Sequence, residues 1–399
     1  MHGLPPAQAR YLRARTGDEA RVTNIELFFD LVYAFAVTQL SHRLVGELTL
    51  PGALQTLVLW FAVWLGWQYT CWVTNWFDPE RLPVRALMLA ITLAGTLMAV
   101  SLPLAYGERG LMFAASYVVL QVGRSLVVLA FLGRRHALRA NFVRILGWLT
   151  ISGALWIAGT FAEAPARFLF WVAAVGCEYL SPMFGFALPG LGRSRSTDWQ
   201  SAEGGHIAER CQSFVIIALG ESLLATGGTL SGAEHWTVPG ILAFLACFLS
   251  TVALWWIYFD TSSQAGSQTI AEAKRPGQMA ARFHYVHAIL VAGIIAVAAG
   301  DDLVIEHPGE AIRVASALLL IGGPALYLAG NALYKLVVYG RVPLSHLVGF
   351  ALLAVLVPIG FTTDLLMIDG LTTGILIVVA AWESLSRRRA RGTMREPLA

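Results

Sequence analysis

Twelve apolar stretches of membrane-spanning length follow one another along the 399 residues. They cover 25–45, 53–75, 84–105, 110–132, 143–162, 167–188, 207–228, 237–259, 281–300, 311–338, 344–362 and 371–386. A helix needs about 20 apolar residues to cross a bilayer, so each stretch reads as a spanning helix. Pro51-Gly52, Pro79, Pro83, Pro189-Gly190, Pro276-Gly277, Pro308-Gly309 and Pro343 punctuate the series, as turn-forming residues do between helices. Charged residues make up 13% of the chain, against about 25% in a soluble domain. The fold class these features imply is an all-α polytopic membrane protein with about twelve transmembrane helices.

The placement of cations gives the expected orientation. With alternate connections assigned to alternate sides, 23 of the 28 Lys and Arg residues fall on the side of the N-terminus. Four fall on the other side, Arg43, Arg109, Arg167 and Arg313, and Arg124 lies inside a span. The positive-inside rule then puts both termini in the cytoplasm of a cell-membrane protein. The acidic stretch Asp301 to Glu310 is expected in an external loop. No signal peptide is expected, because residues 1–20 lack an apolar core before a cleavage site. A net charge of +3 says nothing about nucleic acid, no basic patch is interleaved with aromatics, and no nucleic-acid partner is expected. Membrane lipids are the expected surroundings, and Arg387, Arg388, Arg389 and Arg391 read as an anchor on anionic headgroups.

Internal likeness divides the chain. Glu26 opens the first span and Glu209 the seventh. Phe77-Asp78 closes the second, and Phe259-Asp260 the eighth. Glu178-Tyr179-Leu180-Ser181 closes the sixth, and Glu383-Ser384-Leu385-Ser386 the twelfth. Because six is even, the two halves would share one orientation as a parallel repeat, a construction used by several secondary transporters. The expected organisation is a cytoplasmic N-terminal segment 1–24, a first six-helix half 25–188, a cytoplasmic linker 189–206, a second half 207–386 and a basic cytoplasmic tail 387–399.

Ionisable residues inside spans are costly and need a functional or structural reason. Glu26, Asp30, Tyr33, Val37 and Ser41 share one helical face. Asp30 is the foremost candidate for binding a proton or cation, with a structural ion pair as the alternative. Glu26, nearer the interface, suits a helix-start acid. Tyr117, Gln121, Arg124 and Ser125 line a second face. Arg124 unpaired in hydrocarbon costs at least about 2.5 kcal/mol, and Asp30 and Glu221 are its expected partners. Glu221 follows Gly220, where the helix has room to bend or break, as it has at Gly227-Gly228. His284 and His287, three residues apart, suit either a proton relay or interfacial anchoring. Glu178 and Asn331 are further polar candidates. Neither metal nor cofactor is expected. H-E-x-x-H, Walker and G-x-S-x-G motifs are missing, and Cys71, Cys177, Cys211 and Cys247 sit singly in apolar surroundings.

Three blocks carry a family resemblance: Arg21 to Asn24 with the following ELFFDLVYAFAVTQLSH (Glu26 to His42), WVTNWFDPERLPVR (Trp72 to Arg85), and HIAERCQSFVIIALGESLL (His206 to Leu224). They are similar to the opening and to the H-x-x-E-R…I-I-x-L-G-E-S block of the bacterial low-temperature-requirement protein A (LtrA) family. That resemblance implies an integral membrane protein linked by its family name to growth in the cold, and little about chemistry. Three functions remain open at this level. A proton-coupled secondary transporter of a small solute would use Asp30, Glu221 and Arg124. A cation channel is suggested by F-F-D, which resembles the F-S-D motif of twelve-span potassium channels, although Ser213 stands at the matching place in the second half. The third is a non-transport membrane protein in stress adaptation or lipid handling. No reaction centre of an enzyme is evident.

Overall fold

The computed structural model describes residues 10–13, 21–195, 199, 202–232, 235–260, 269 and 273–393. Twelve helices within these residues correspond to the twelve apolar stretches. They are α1 Asn24–Gly46, α2 Leu50–Trp76, α3 Leu82–Ser101, α4 Gly110–Phe131, α5 Arg139–Thr160, α6 Ala164–Met183, α7 Gly204–Gly232, α8 Val238–Phe259, α9 Pro276–Glu306, α10 Val314–Tyr339, α11 Leu344–Gly360 and α12 Leu365–Thr393. Nine are long and apolar enough to cross a membrane; α1, α6 and α11 fall short of that mark. The protein is therefore built as a helical multi-pass membrane protein.

Helix α1 buries its acids among apolar residues and leaves an apolar face outside. Glu26, Asp30, Tyr33, Val37 and Ser41 are all buried, as their spacing predicts, while Leu27, Phe28, Leu31 and Phe35 are exposed. A helix in water would turn the other way. In hydrocarbon this is the stable arrangement, since the acids need protein partners and the apolar side chains do not.

The chain forms two compact units. The first comprises residues 1–43, 51–213 and 270–281, and the second comprises 44–50, 214–269 and 282–399, so α7 and α9 each contribute to both. In the first unit α3 packs on α4, α4 on α5 and α5 on α6. Trp60, Trp64 and Trp67 form a buried stripe along α2, their successive ring centroids 5.4 and 4.8 Å apart. In the second unit α12 packs on α8 and α11, and α10 on α11. There α9 and α10 approach backbone to backbone: a Cβ on Gly293 would stand 2.5 Å from Tyr327 N, and one on Gly330 would stand 2.6 Å from Leu290 N. Small residues of this kind let membrane helices pack without help from the hydrophobic effect.

Several expectations are corrected. Helix α9 continues to Glu306, so Asp301 and Asp302 are buried helical residues rather than loop residues. Helix α7 runs unbroken through Gly220, Gly227 and Gly228, because backbone hydrogen bonding holds a glycine in a helix wherever nothing forces a kink. Helix α12 extends past Arg387 as far as Thr393, and Arg387 pairs with Asp260 Oδ2 at 2.5 Å. Residues 1–9 and 14–20, parts of the 189–206 linker, and residues 394–399 lie outside the described residues.

Candidate functional site

The first unit holds two buried polar networks. The first centres on Asp30 and Glu26, one helical turn apart on α1. Arg210, on the first-unit portion of α7, donates from NH2 to Asp30 Oδ1 at 2.6 Å, and Trp67 Nε1 donates to the same oxygen at 2.8 Å. Asp30 Oδ2 is buried without a hydrogen-bond partner. The other nitrogen of the fork, Arg210 NH1, stands 3.8 Å from Glu26 Oε1. Glu26 is already held by Arg13 NH2 at 2.9 Å, by the backbone N and hydroxyl of Thr23 at 2.9 Å each, and by His206 Nε2 at 2.9 Å. Asn75 Nδ2 donates to His206 Nδ1 at 3.3 Å, so the tautomer with its proton on Nε2 satisfies both ring nitrogens. Asp30, Glu26, His206 and Arg210 are all fully buried, a setting in which charges persist only with partners.

The second network surrounds Glu178. Ser152 Oγ and Trp156 Nε1, from α5, donate to Oε1 at 2.7 and 3.0 Å. Tyr117 OH and Gln121 Nε2, from α4, donate to Oε2, the latter at 3.2 Å. Gln121 Oε1 accepts from Arg124 NH2. Arg124 NH1 donates to Thr70 Oγ1 at 2.9 Å and to Gly66 O at 3.1 Å, both on α2. Its guanidinium also lies 5.6 Å from the Tyr69 ring centroid. A π-turn at Val119–Gly123 interrupts α4 at Gln121, the kind of irregularity that concentrates where a polar side chain must be aimed. Gly66 stands between the networks, since a Cβ there would lie 3.1 Å from Tyr33 OH.

The structure thus gathers Glu26, Asp30, Tyr117, Gln121, Arg124 and Glu178 in one unit. It does not pair Arg124 with Asp30. Arg210 occupies that role, and Arg124 is satisfied by a carbonyl and a hydroxyl of α2 and by the Gln121 amide oxygen. The remaining candidates belong to the second unit. Glu221 is half-buried. His284 and His287 are fully buried on α9, so neither is an interfacial anchor. His287 sits 2.7 Å from both Tyr258 OH and Phe283 O.

Sequence reasoning missed Arg210, His206 as a partner of Glu26, and Trp67. Arg210 is tallied among the cytoplasmic cations, as are Arg144 and Lys335, yet all three are buried. Arg144 bonds Asn141 and Leu191 O, and Lys335 pairs with Glu383. The available signal was the H-x-x-E-R string itself, which places His206 and Arg210 four residues apart on one helical face.

Residues 21–381 match the family described as bacterial low temperature requirement A protein (LtrA). The chain belongs to the LtrA family. It is also 38% identical over 387 residues to an uncharacterized protein, RA0937, of Rhizobium meliloti (strain 1021), a likeness covering 96% of this chain and 93% of the relative. No solved structure matches it. The matched residues take in both networks of this LtrA-family protein except Arg13.

Proposed function

We propose that this LtrA-family protein is a secondary transporter of the cell membrane, with both termini cytoplasmic, that couples proton movement to that of a small solute. One observation carries the reading: a fully buried Asp30–Arg210 pair whose acid keeps one oxygen free, beside a second acid within 3.8 Å of the same guanidinium. A proton landing on Asp30 Oδ2 cancels the charge that holds Arg210. The guanidinium then has Glu26 as its nearer electrostatic partner, so protonation and a shift of the α7 side chain are linked. Such a two-position cation gives a proton differential affinity for two states, which coupling requires. The cation bias supports the orientation, and membrane depth explains why so many ionisable groups converge without a reaction centre.

The experiment uses purified protein in liposomes containing a trapped pH-sensitive dye, challenged with a panel of amino acids, organic acids, amines and sugars. At least one solute should drive proton movement, and Asp30→Asn should abolish it while the protein still elutes as a folded particle. Voltage-driven current without a second solute would instead indicate a channel. A folded wild-type protein that moves neither protons nor solutes across the panel would sink the reading in favour of a structural or lipid-linked role.

A further inference from the structure

The second unit contains a different constellation. Cys247 on α8, Asp301 on α9 and Asp369 on α12 converge, all three buried, with Sγ and one oxygen of each carboxylate within 4.8 Å of one another. Cys247 Sγ lies 3.9 Å from Asp369 Oδ2 and 3.9 Å from the carbonyl oxygen of Asp301. Asp301 is 1% exposed, and its Oδ2 has no hydrogen-bond partner. Among the described residues neither aspartate forms an ion pair, whereas Glu26, Asp30 and Glu383 do, and Glu178, which has none, accepts from four neutral donors. Asp301 lies one residue from Gly300, whose missing side chain lets α9 pack closely on α10, since a Cβ there would meet the Leu320 side chain at 3.0 Å. Asp369 sits near the start of α12, the helix packed on α8.

Two carboxyl groups at this depth without a basic neighbour require positive charge from elsewhere. We propose that Cys247, Asp301 and Asp369 form a binding site for a divalent cation of borderline softness, such as Zn²⁺ or Co²⁺. Magnesium and calcium favour sites made of oxygen alone, whereas a thiolate mixed with carboxylates selects softer ions. Tetrahedral coordination with metal–sulfur and metal–oxygen distances of about 2.3 and 2.1 Å puts ligand atoms about 3.4–3.6 Å apart. The site therefore closes on binding by about 0.3 Å between Cys247 and Asp369 and by at most about 1.4 Å elsewhere, within the reach of small side-chain rotations. Three protein ligands leave a fourth position open, as an exchanging site needs and a structural one does not. Binding releases to solvent the thiol proton and the proton shared by the two carboxyl groups, so affinity rises with pH.

The probe is Co²⁺ alone, added to untagged, purified protein in detergent. A thiolate-to-cobalt charge-transfer band should appear, saturate at one ion per chain and vanish on addition of Zn²⁺. Cys247→Ser should remove the band, and Asp301→Asn and Asp369→Asn should each weaken cobalt binding at least tenfold. Cys177→Ser, in the first unit, should leave it intact. To guard against variants that do not fold, Zn²⁺ should also slow alkylation of Cys247 in the wild-type protein under mild denaturation, read by mass spectrometry. Lack of a cobalt–thiolate band in the wild type, a band that survives Cys247→Ser, or lack of protection would each overturn the site, the acids then sharing a proton only. None of these readouts depends on transport, so this assignment and the proton-coupling reading stand or fall separately.

Discussion

The Asp30–Arg210 pair gives the sharpest energetic test of the first network. Both side chains are fully buried and meet at 2.6 Å. Removing one member of such a pair strands the other charge at a cost of about 3–5 kcal/mol. Arg210→Met should therefore lower stability by about that amount, since Asp30 keeps only the Trp67 hydrogen bond. Asp30→Asn is milder, about 1.5–3 kcal/mol: the amide retains an acceptor for Trp67, and Arg210 retains Glu26 at 3.8 Å. Simple addition predicts a loss of roughly 5–8 kcal/mol for the double variant. Removing both charges together, however, leaves a neutral pair, and neutral replacements of buried ion pairs are often tolerated. The double variant should then fall within about 2 kcal/mol of the wild type, a coupling energy of at least about 3 kcal/mol. Reversible unfolding in mixed micelles, extrapolated linearly against denaturing detergent, measures all four proteins. Additivity to within about 0.5 kcal/mol would show that the two groups are not energetically coupled, and the protonation switch would lose its basis.

Cysteine replacing Glu306 should react with an impermeant thiol reagent on intact cells, and cysteine replacing Ala140 should not; reversed labelling would invert the proposed orientation. Gly330→Ala, whose new Cβ would meet the Leu290 backbone at 2.6 Å, should sharply reduce folded yield. Gly220→Ala, with nothing within 4 Å of the added carbon, should be neutral or stabilising by up to about 1 kcal/mol. Glu178→Ala leaves Trp156 Nε1 and Tyr117 OH without their acceptor and should sharply reduce folded yield, while Glu178→Gln should lose about 2–3 kcal/mol, as measured by the same unfolding assay. His136, in the α4–α5 connection, is held below its ordinary pKa by burial. Its neutral form is therefore favoured by folding, and stability should fall as pH drops below about 6.5. His136→Gln should flatten that pH dependence.

Periodicity and length carried much of this architecture. Each apolar stretch became a helix because hydrocarbon leaves its backbone no other local partner. The face of α1 was legible because Glu26, Asp30, Tyr33, Val37 and Ser41 repeat at helical spacing. Helix ends were not legible. Asp301 and Asp302 looked like loop residues because charge usually ends a span, yet α9 carries them inside and buries them. The partner of Asp30 was hidden by the same rule used to orient the chain. Arg210 lies close to a helix start and reads as a cytoplasmic cation, whereas sequence separation hides that it reaches an acid 180 positions earlier. The Cys247, Asp301 and Asp369 cluster spans three helices and 122 positions, and a lone cysteine in an apolar run gives no hint of it.

Hydrogen-bond satisfaction separates the buried acids into two kinds. Glu178, on α6, has both oxygens filled by donors from α4 and α5. Glu383, on α12, is filled in the same manner: Ser345 Oγ and His346 Nδ1, from α11, reach Oε1 at 2.9 and 3.1 Å, and Lys335, from α10, takes Oε2. In each unit an acid near the end of the final helix draws a serine from the preceding helix. Each also draws a side chain from a pair of polar residues four apart on the helix before that, Tyr117 and Gln121 on α4, Asn331 and Lys335 on α10. Two related halves would show this pattern, and at Glu178 its chemistry is that of a lock, because four donors fill both carboxylate oxygens. Asp30 and Asp301 are different. Each is fully enclosed, and each keeps one oxygen without a donor, an arrangement that costs stability unless something binds there. In the proposed reading, exchange of a proton or cation is assigned to Asp30 and Asp301, whereas Glu178 and Glu383 are engaged at both oxygens by donors from neighbouring helices.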